Sequence, residues 1–300
     1  MSKKARINAI SNRSNVILNV FFIVYSIICV APVLLILGIS FTSENEIILH
    51  GFNFIPKEFS LEAYKFLFRD ITSIARAYGV SIFATVVGTF LSVLCIALYA
   101  YPISRNDFPA KKFFTFYIFF TMLFNGGLVS TYFFNTQVFH MKNTIYALII
   151  PLMMSPFSVL IVRTFYQQSV PKSILESAKI DGASEFRIFY QMVLPLSKPA
   201  IATIALFDTL TYWNDWFSSL LYISDKKLYT LQYTMYTALM NVQYLLKFGQ
   251  NSSQDIGLSV LPKQTVRFAM VLIAIGPIAL AYPYFQKYFV KGLTIGSIKG

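Results

Sequence analysis

Six apolar runs, at residues 16–41, 77–104, 113–134, 144–166, 199–223 and 264–288, constrain this chain more than any other feature. A helix needs about 20 apolar residues to cross the hydrocarbon core of a bilayer, and each run is long enough. Water is absent there, so every backbone N–H and C=O must be satisfied within the segment, which makes each run a helix. Charged residues are only 13% of the chain and apolar ones 56%, against about 25% and 45–50% in soluble domains. The sequence therefore predicts an all-α integral membrane protein with six transmembrane helices. The first run exceeds the core of a cleaved signal peptide, about 7–15 residues, and reads as an uncleaved span.

A net charge of +12 raises the possibility of nucleic-acid binding. The basic residues instead sit in short tracts beside the apolar runs, as at Lys3, Lys4, Arg6 and Arg13, or Arg105, Lys111 and Lys112. That pattern suits anionic headgroups and the positive-inside rule, so no nucleic-acid partner is expected. With both termini cytoplasmic, the inner segments carry fifteen Lys and Arg and the outer ones ten. The expected organisation is a cytoplasmic segment at 1–15, a first span and outer loop at 16–75, a five-helix core at 76–288 and a cytoplasmic tail at 289–300. The first outer connection, rich in Phe, should pack as short interfacial helices. The second, from about 224 to 263, reads as a solvated loop because of its Gly249-Gln250-Asn251-Ser252-Ser253 run.

Chemistry-bearing clusters are few. Cys29 and Cys95 lie inside apolar runs and act as small hydrophobes. His50 and His140 are isolated, with no HExxH and no CxxC, so neither a metal site nor a catalytic residue is expected.

The stretch Glu176–Pro199, ESAKIDGASEFRIFYQMVLPLSKP, concentrates charge between two apolar runs. Ser173 and Glu176 have capping-box spacing, which predicts a helix over 174–180. Asp181-Gly182 would end it, since Gly accepts positive φ. A second helix should start near Ala183-Ser184 and stop before Pro195, with Pro199 in the first turn of the next span. Small residues (Ala178, Gly182, Ala183) would let another backbone approach, while Ile174, Leu175, Phe186, Phe189 and Met192 offer apolar anchors. The charges would form a rim. Such a segment fits a groove on a soluble partner, and it equally fits a helix resting on headgroups.

Glu176-Ser177-Ala178, Asp181-Gly182-Ala183, Phe186, Phe189 and Leu194-Pro195-Leu196 through Pro199 resemble the EAA loop of ATP-binding-cassette (ABC) importer permeases. Ser177 replaces the usual Ala, a small-for-small change. Phe124-Asn125-Gly126-Gly127-Leu128, Asn143-Thr144, Pro151, Trp213-Asn214, Tyr222-Ile223, Leu231-Gln232 and the ending from Tyr282-Pro283 to Lys299-Gly300 resemble the carbohydrate-uptake, maltose-type branch. In particular these residues resemble the permeases for complex or polysaccharide-derived oligosaccharides, with Ser130 where that branch usually has Pro.

The resemblance implies a type I ABC importer permease fold, with the EAA coupling loop at about 171–198 docked on an ATPase dimer. It implies ATPase coupling through Glu176, Ala178, Asp181, Gly182, Ala183, Phe186 and Pro195. It also implies a tail contact with the ATPase through Gly292, Gly296, Lys299 and Gly300, although the same tail reads by composition as a frayed terminus. The implied partners are a second homologous permease subunit, a cytoplasmic ATPase dimer and an extracellular sugar-binding protein. No phosphate-loop motif occurs here, so ATP and Mg would belong to the ATPase, and no cofactor is expected on this chain.

The fifth run carries Asp208, Tyr212, Asp215 and Ser219 at 4-3-4 spacing, one face of a helix. Polar groups at membrane depth line a wet path or make contacts inside the bundle. Asp208, Tyr212, Trp213, Asn214 and Asp215 are therefore candidate substrate-path residues, carboxylates and rings being suited to sugar hydroxyls and C–H faces. Trp213-Asn214 as a packing element is the competing reading. Asn125-Gly126-Gly127 predicts a bend or close helix packing in the third run, and Pro151, Pro156 and Pro277 predict kinks. A self-sufficient secondary transporter is the alternative function; inverted repeats and discontinuous helices would favour it, and the sequence shows neither. A membrane enzyme lacks any supporting signature.

Overall fold

The computed structural model describes residues 12–248 and 264–296. Among them the chain is helical, with no strand beyond an isolated bridge between Thr42 and Phe59. It divides into two compact units, residues 1–69 with 244–273, and residues 70–243 with 274–300.

In the first unit, helix α1 (Asn12–Ser40) exposes apolar side chains around its whole circumference, as at Ile17, Phe21 and Ile28. A helix apolar on all sides is at home in lipid. Near its end Gly38 lies against the Phe54 carbonyl, where an added Cβ would stand 2.2 Å from the oxygen. The expected short helices of the first outer connection are present as α2 (Glu44–His50), capped by Ser43, and α3 (Glu62–Leu67). The Glu44 carboxylate accepts hydrogen bonds from the amides of Gln264 (2.8 Å) and Thr265 (3.0 Å) and from the Thr265 hydroxyl (3.0 Å). These amides open a long helix, Gln264–Gly296, so an anion meets the positive end of its dipole.

The second unit is organised by α4 (Ile71–Ser104), which packs against the helices formed by the fourth and fifth runs. Its buried face reads Ala77, Ser81, Ala84, Thr85, Gly88 and Ser92, small residues three and four apart that let helices approach closely. Among the described residues only two stretches, Ser14–Ser40 and Glu62–Ser104, are by themselves long and apolar enough to cross a membrane, and up to five spans result if each bent pair counts as one.

The third run is broken into α5 (Lys111–Leu123) and α6 (Gly127–Phe133, continued by a π-type turn to Val138), bent by 114°. The bend sits on Asn125-Gly126-Gly127. Gly127 has φ +82 and its amide bonds the Asn125 side chain at 2.8 Å. Among the described residues no other helix closes on either glycine, and the pair marks the bend. The fourth run starts as two 3₁₀ turns around Pro151. It then turns by 50° into α7 (Pro156–Ser169), with Pro156 in the first turn and Ser155 as cap.

The connection read as a solvated loop contains an 18-residue helix, α13 (Leu231–Phe248). Leu231 is buried, and Tyr236 stacks on Trp216 at 4.4 Å, an aromatic anchor that polar loop composition farther along the chain concealed. Residues 249–253, on which that expectation rested, lie outside the described residues.

Candidate functional site

The charged segment folds as α8 (Lys172–Ile180), a turn, α9 (Glu185–Ile188) and a π-type turn running into α10 (Leu194–Leu196). Gly182 has φ +76, the left-handed turn expected there. Ser184 caps the second helix by accepting the Arg187 amide at 3.3 Å. Two local expectations fail. The capping box is not formed, because α8 starts at Lys172 and Ser173 lies inside its first turn, where the Pro171 carbonyl already receives the Ile174 amide. The second helix also runs past Pro195. A π-type turn at 189–193 loosens the ladder just before that ring, and the chain breaks only at Ser197, with an 80° bend into α11 (Lys198–Trp213). Pro199 occupies the first turn of α11, as expected.

The segment has two unlike faces. Its inner side joins the packed interior of the bundle through Ala178, Ile188, Phe189 and Val193, which meet a cluster including Ile96, Ile103, Val162 and Tyr166. Its outer side presents Ile180 (86% exposed), Phe186 (73%) and Tyr190 (65%). Of the five anchors expected, Ile174 and Phe186 are exposed, while Leu175, Phe189 and Met192 face the chain's own interior. Ala178, at 2% exposure, also points inward and is not presented at the surface. Ile180 and Tyr190 were missed. Helical phase relative to Leu175 and Phe189 would have found them.

Two of the supposed rim charges are turned to internal use. The Lys179 ammonium lies 2.5 Å from Asp107 and 2.8 Å from Glu185, and Arg105 lies 2.9 Å from Asp107 and 3.6 Å from Glu185. Tyr101 donates to Glu185 at 2.5 Å. The Arg105 and Lys179 hydrogen bonds hold the Asp107 carboxyl well below the usual carboxylate range. Arg163 and Gln167 of α7 donate to the carbonyls of Ile103 and Ser104, satisfying the end of α4. The loop after α4 is thereby fastened to the elbow of the charged segment. Glu176, Asp181, Gly182 and Pro195 are exposed and Ala183 is half-buried.

The polar stripe of the fifth run is not one helical face. Helix α11 stops at Trp213, and α12 (Phe217–Tyr222) follows after a break at Asn214-Asp215-Trp216. Asp208 is buried and accepts from Ser92 of α4 at 2.6 Å. Tyr212 donates to the Ile149 carbonyl at 2.8 Å, and its ring fills the space above Gly88, where a Cβ would stand 2.6 Å away. Trp213 donates from Nε1 to the Ala274 carbonyl at 2.9 Å in the long helix already described, α14 (Gln264–Gly296). Asn214 donates to the Leu210 carbonyl, and Asp215 accepts the amides of Phe217 and Ser218 at 3.1 Å, capping α12.

Asp208, Tyr212 and Trp213 are therefore buried, each held by a partner on another segment. The Asp208 carboxylate, the Tyr212 hydroxyl and the Trp213 indole N–H each have a partner on another segment, the cheapest outcome where water is excluded. Asn214 remains exposed and Asp215 half-buried. Gly88 and Ser92 escaped notice, although the small-residue spacing along α4 was visible.

A further tie involves Asn143, at φ +57, whose side chain accepts the amides of Ser224 (2.5 Å) and Asp225 (3.1 Å). Gly292 and Gly296 fall within α14, while Lys299 and Gly300 lie outside the described residues. Among the described residues no group of three or more His, Cys, Asp or Glu side chains is placed to hold a metal.

Comparison with known proteins gives these features a context. Residues 77–295 match the model of the binding-protein-dependent transport system inner membrane component family. The chain is 38% identical to the polygalacturonan/rhamnogalacturonan transport system permease protein YtcP of Bacillus subtilis (strain 168), covering 93% of this chain and 96% of that one. It is 40% identical to protein LplC of the same organism, over 91% of this chain and 90% of that one. Among solved structures it resembles a chain of a bacterial ABC transporter involved in the import of the acidic polysaccharide alginate. There the TM-score is 0.76 and the identity 26%, covering 94% of this chain and 99% of that one. The broken helices, which the sequence did not show, are one of the two signs that together would favour a secondary transporter, but the family decides otherwise: this chain belongs to the binding-protein-dependent transport system inner membrane components, the permease subunits of ABC importers.

Proposed function

We propose that this chain forms half of the transmembrane path of an ATP-driven oligosaccharide importer, with six spans and both termini in the cytoplasm. A separate ATPase dimer moves it through residues 172–196. ATP and Mg reside on that ATPase, a second permease completes the path, and an external binding protein delivers the sugar. The observation that carries the coupling reading is the outward set Ile180, Phe186 and Tyr190 around the Gly182 elbow. Large apolar groups with this exposure, on a segment braced from behind by ion pairs, form a rigid plug for a partner's groove. Glu176, Asp181 and Pro195 border the plug. Ala178 and Ala183 set its spacing from the bundle, and the tail from Gly292 to Gly300 makes a second contact.

The substrate class follows from the relatives, whose names refer to polygalacturonan and rhamnogalacturonan transport and to import of the acidic polysaccharide alginate. On this chain the sugar meets the break between α11 and α12, where Asn214 and Asp215 are accessible and Asp208, Tyr212 and Trp213 hold the geometry from behind. Proteoliposomes holding the permease pair and its ATPase test the proposal. Wild type should couple ATP hydrolysis to uptake of a labelled oligosaccharide delivered by the binding protein. Gly182→Val, which forces a β-branched residue to positive φ, should retain the assembled complex but lose uptake driven by hydrolysis. Full uptake by that variant would overturn the coupling assignment.

A further inference from the structure

Where α4 ends and α5 begins, a depression of about 480 Å³ is lined by Lys111, Lys112 and Arg163, with Thr115, Phe116 and Phe119 continuing along α5. The ion pairs among the described residues involve none of these three cations. Lys111 bonds only the neutral Asn106 side chain at 2.9 Å, and the charges of Arg163 and Lys172 bear on it as repulsion. The Thr115 hydroxyl has no partner among the described residues. Phe116 and Phe119 are exposed, and Phe113 and Phe120 extend the same apolar surface along the helix. Within one helical turn the wall passes from clustered positive charge to exposed aromatic rings.

Gathering like charges without a counter-ion is unfavourable unless an anion joins them. An ordinary solute anion would satisfy the cations and leave the rings unused. A lipid satisfies both, since its phosphate and acyl chains are separated in the same order along the membrane normal. We propose that this depression is a binding site for an anionic phospholipid, its phosphate among Lys111, Lys112 and Arg163 and its acyl chains along Phe116 and Phe119. The site rests on the chain's membrane placement alone, and not on its substrate or its coupling to an ATPase.

Native mass spectrometry of the full chain in detergent, titrated with phosphatidylglycerol, phosphatidylcholine or inorganic phosphate, tests this. Wild type should retain phosphatidylglycerol in preference to phosphatidylcholine. Each positive charge removed should lower that occupancy about five-fold while phosphatidylcholine adducts stay constant. Lys112→Gln and Arg163→Gln are the first variants. Arg163 also donates to the Ile103 carbonyl, so Lys112→Glu, at an exposed position, serves where Arg163→Gln fails to fold. Equal retention of the two lipids by wild type would overturn the proposal, as would unchanged phosphatidylglycerol occupancy in Lys112→Glu. Displacement of the lipid by millimolar inorganic phosphate would assign the site to a free anion and also overturn it.

Discussion

The elbow around Gly182 and the polar run around Asp208 invert one another. At the elbow, apolar side chains point outward and several charges are tied to the chain itself. Along α11, Asp208, Tyr212 and Trp213 point inward and end on other segments. Sequence composition presents both as polar interruptions of an apolar protein. Their difference follows from solvent: at a membrane edge a chain can leave apolar groups exposed for a partner, whereas at membrane depth an unpaired carboxylate costs too much to leave unsatisfied.

The sharpest way to break this comparison is at the elbow. Ile180→Asp together with Phe186→Asp should abolish co-purification with the ATPase while leaving the solubilised chain's melting temperature unchanged, because both side chains are exposed. A drop in melting temperature would mean that these groups pack within the chain. Next in size is Gly88→Leu, which drives a side chain into the Tyr212 ring and should destabilise the bundle by at least about 1–3 kcal/mol, read by thermal unfolding in detergent.

Asp208→Ala leaves the Ser92 hydroxyl unpaired and should cost about 1–3 kcal/mol of stability. Adding Ser92→Ala should recover part of that loss. Failure of the double variant to recover any would show that Asp208 acts outside this pair, as a path-lining role requires.

The smallest effect belongs to the Asp107 tie. Its carboxyl titrates lower in the folded chain than the usual value of about 3.9, so its stabilisation is complete above that pH and is lost as pH falls through the depressed value. Half-exposure of the pair to water keeps the effect small, so Asp107→Asn should loosen amide-exchange protection around α8 without unfolding the bundle.

How far the sequence could be read differs between these regions for a physical reason. Gly182, Ser184 and Pro199 act through local backbone rules, and their roles were legible because such rules involve only near neighbours. The capping box at Ser173 failed because Pro171 offered its carbonyl two residues earlier. The partners of Asp208, Tyr212 and Trp213 were not legible, since Ser92, Ile149 and Ala274 lie on distant stretches of chain.

The sequence by itself determined the membrane-spanning class, the number of apolar runs, the elbow at Asp181-Gly182 and the family resemblance. These depend on hydropathy, length and local turn chemistry. Only the tertiary structure decided that the third run bends by 114°, that Lys179 and Glu185 pair with the α4 loop, and that Asp208 meets Ser92. Each is a choice among partners, and which partner a polar group meets is fixed by packing between segments that the sequence keeps far apart.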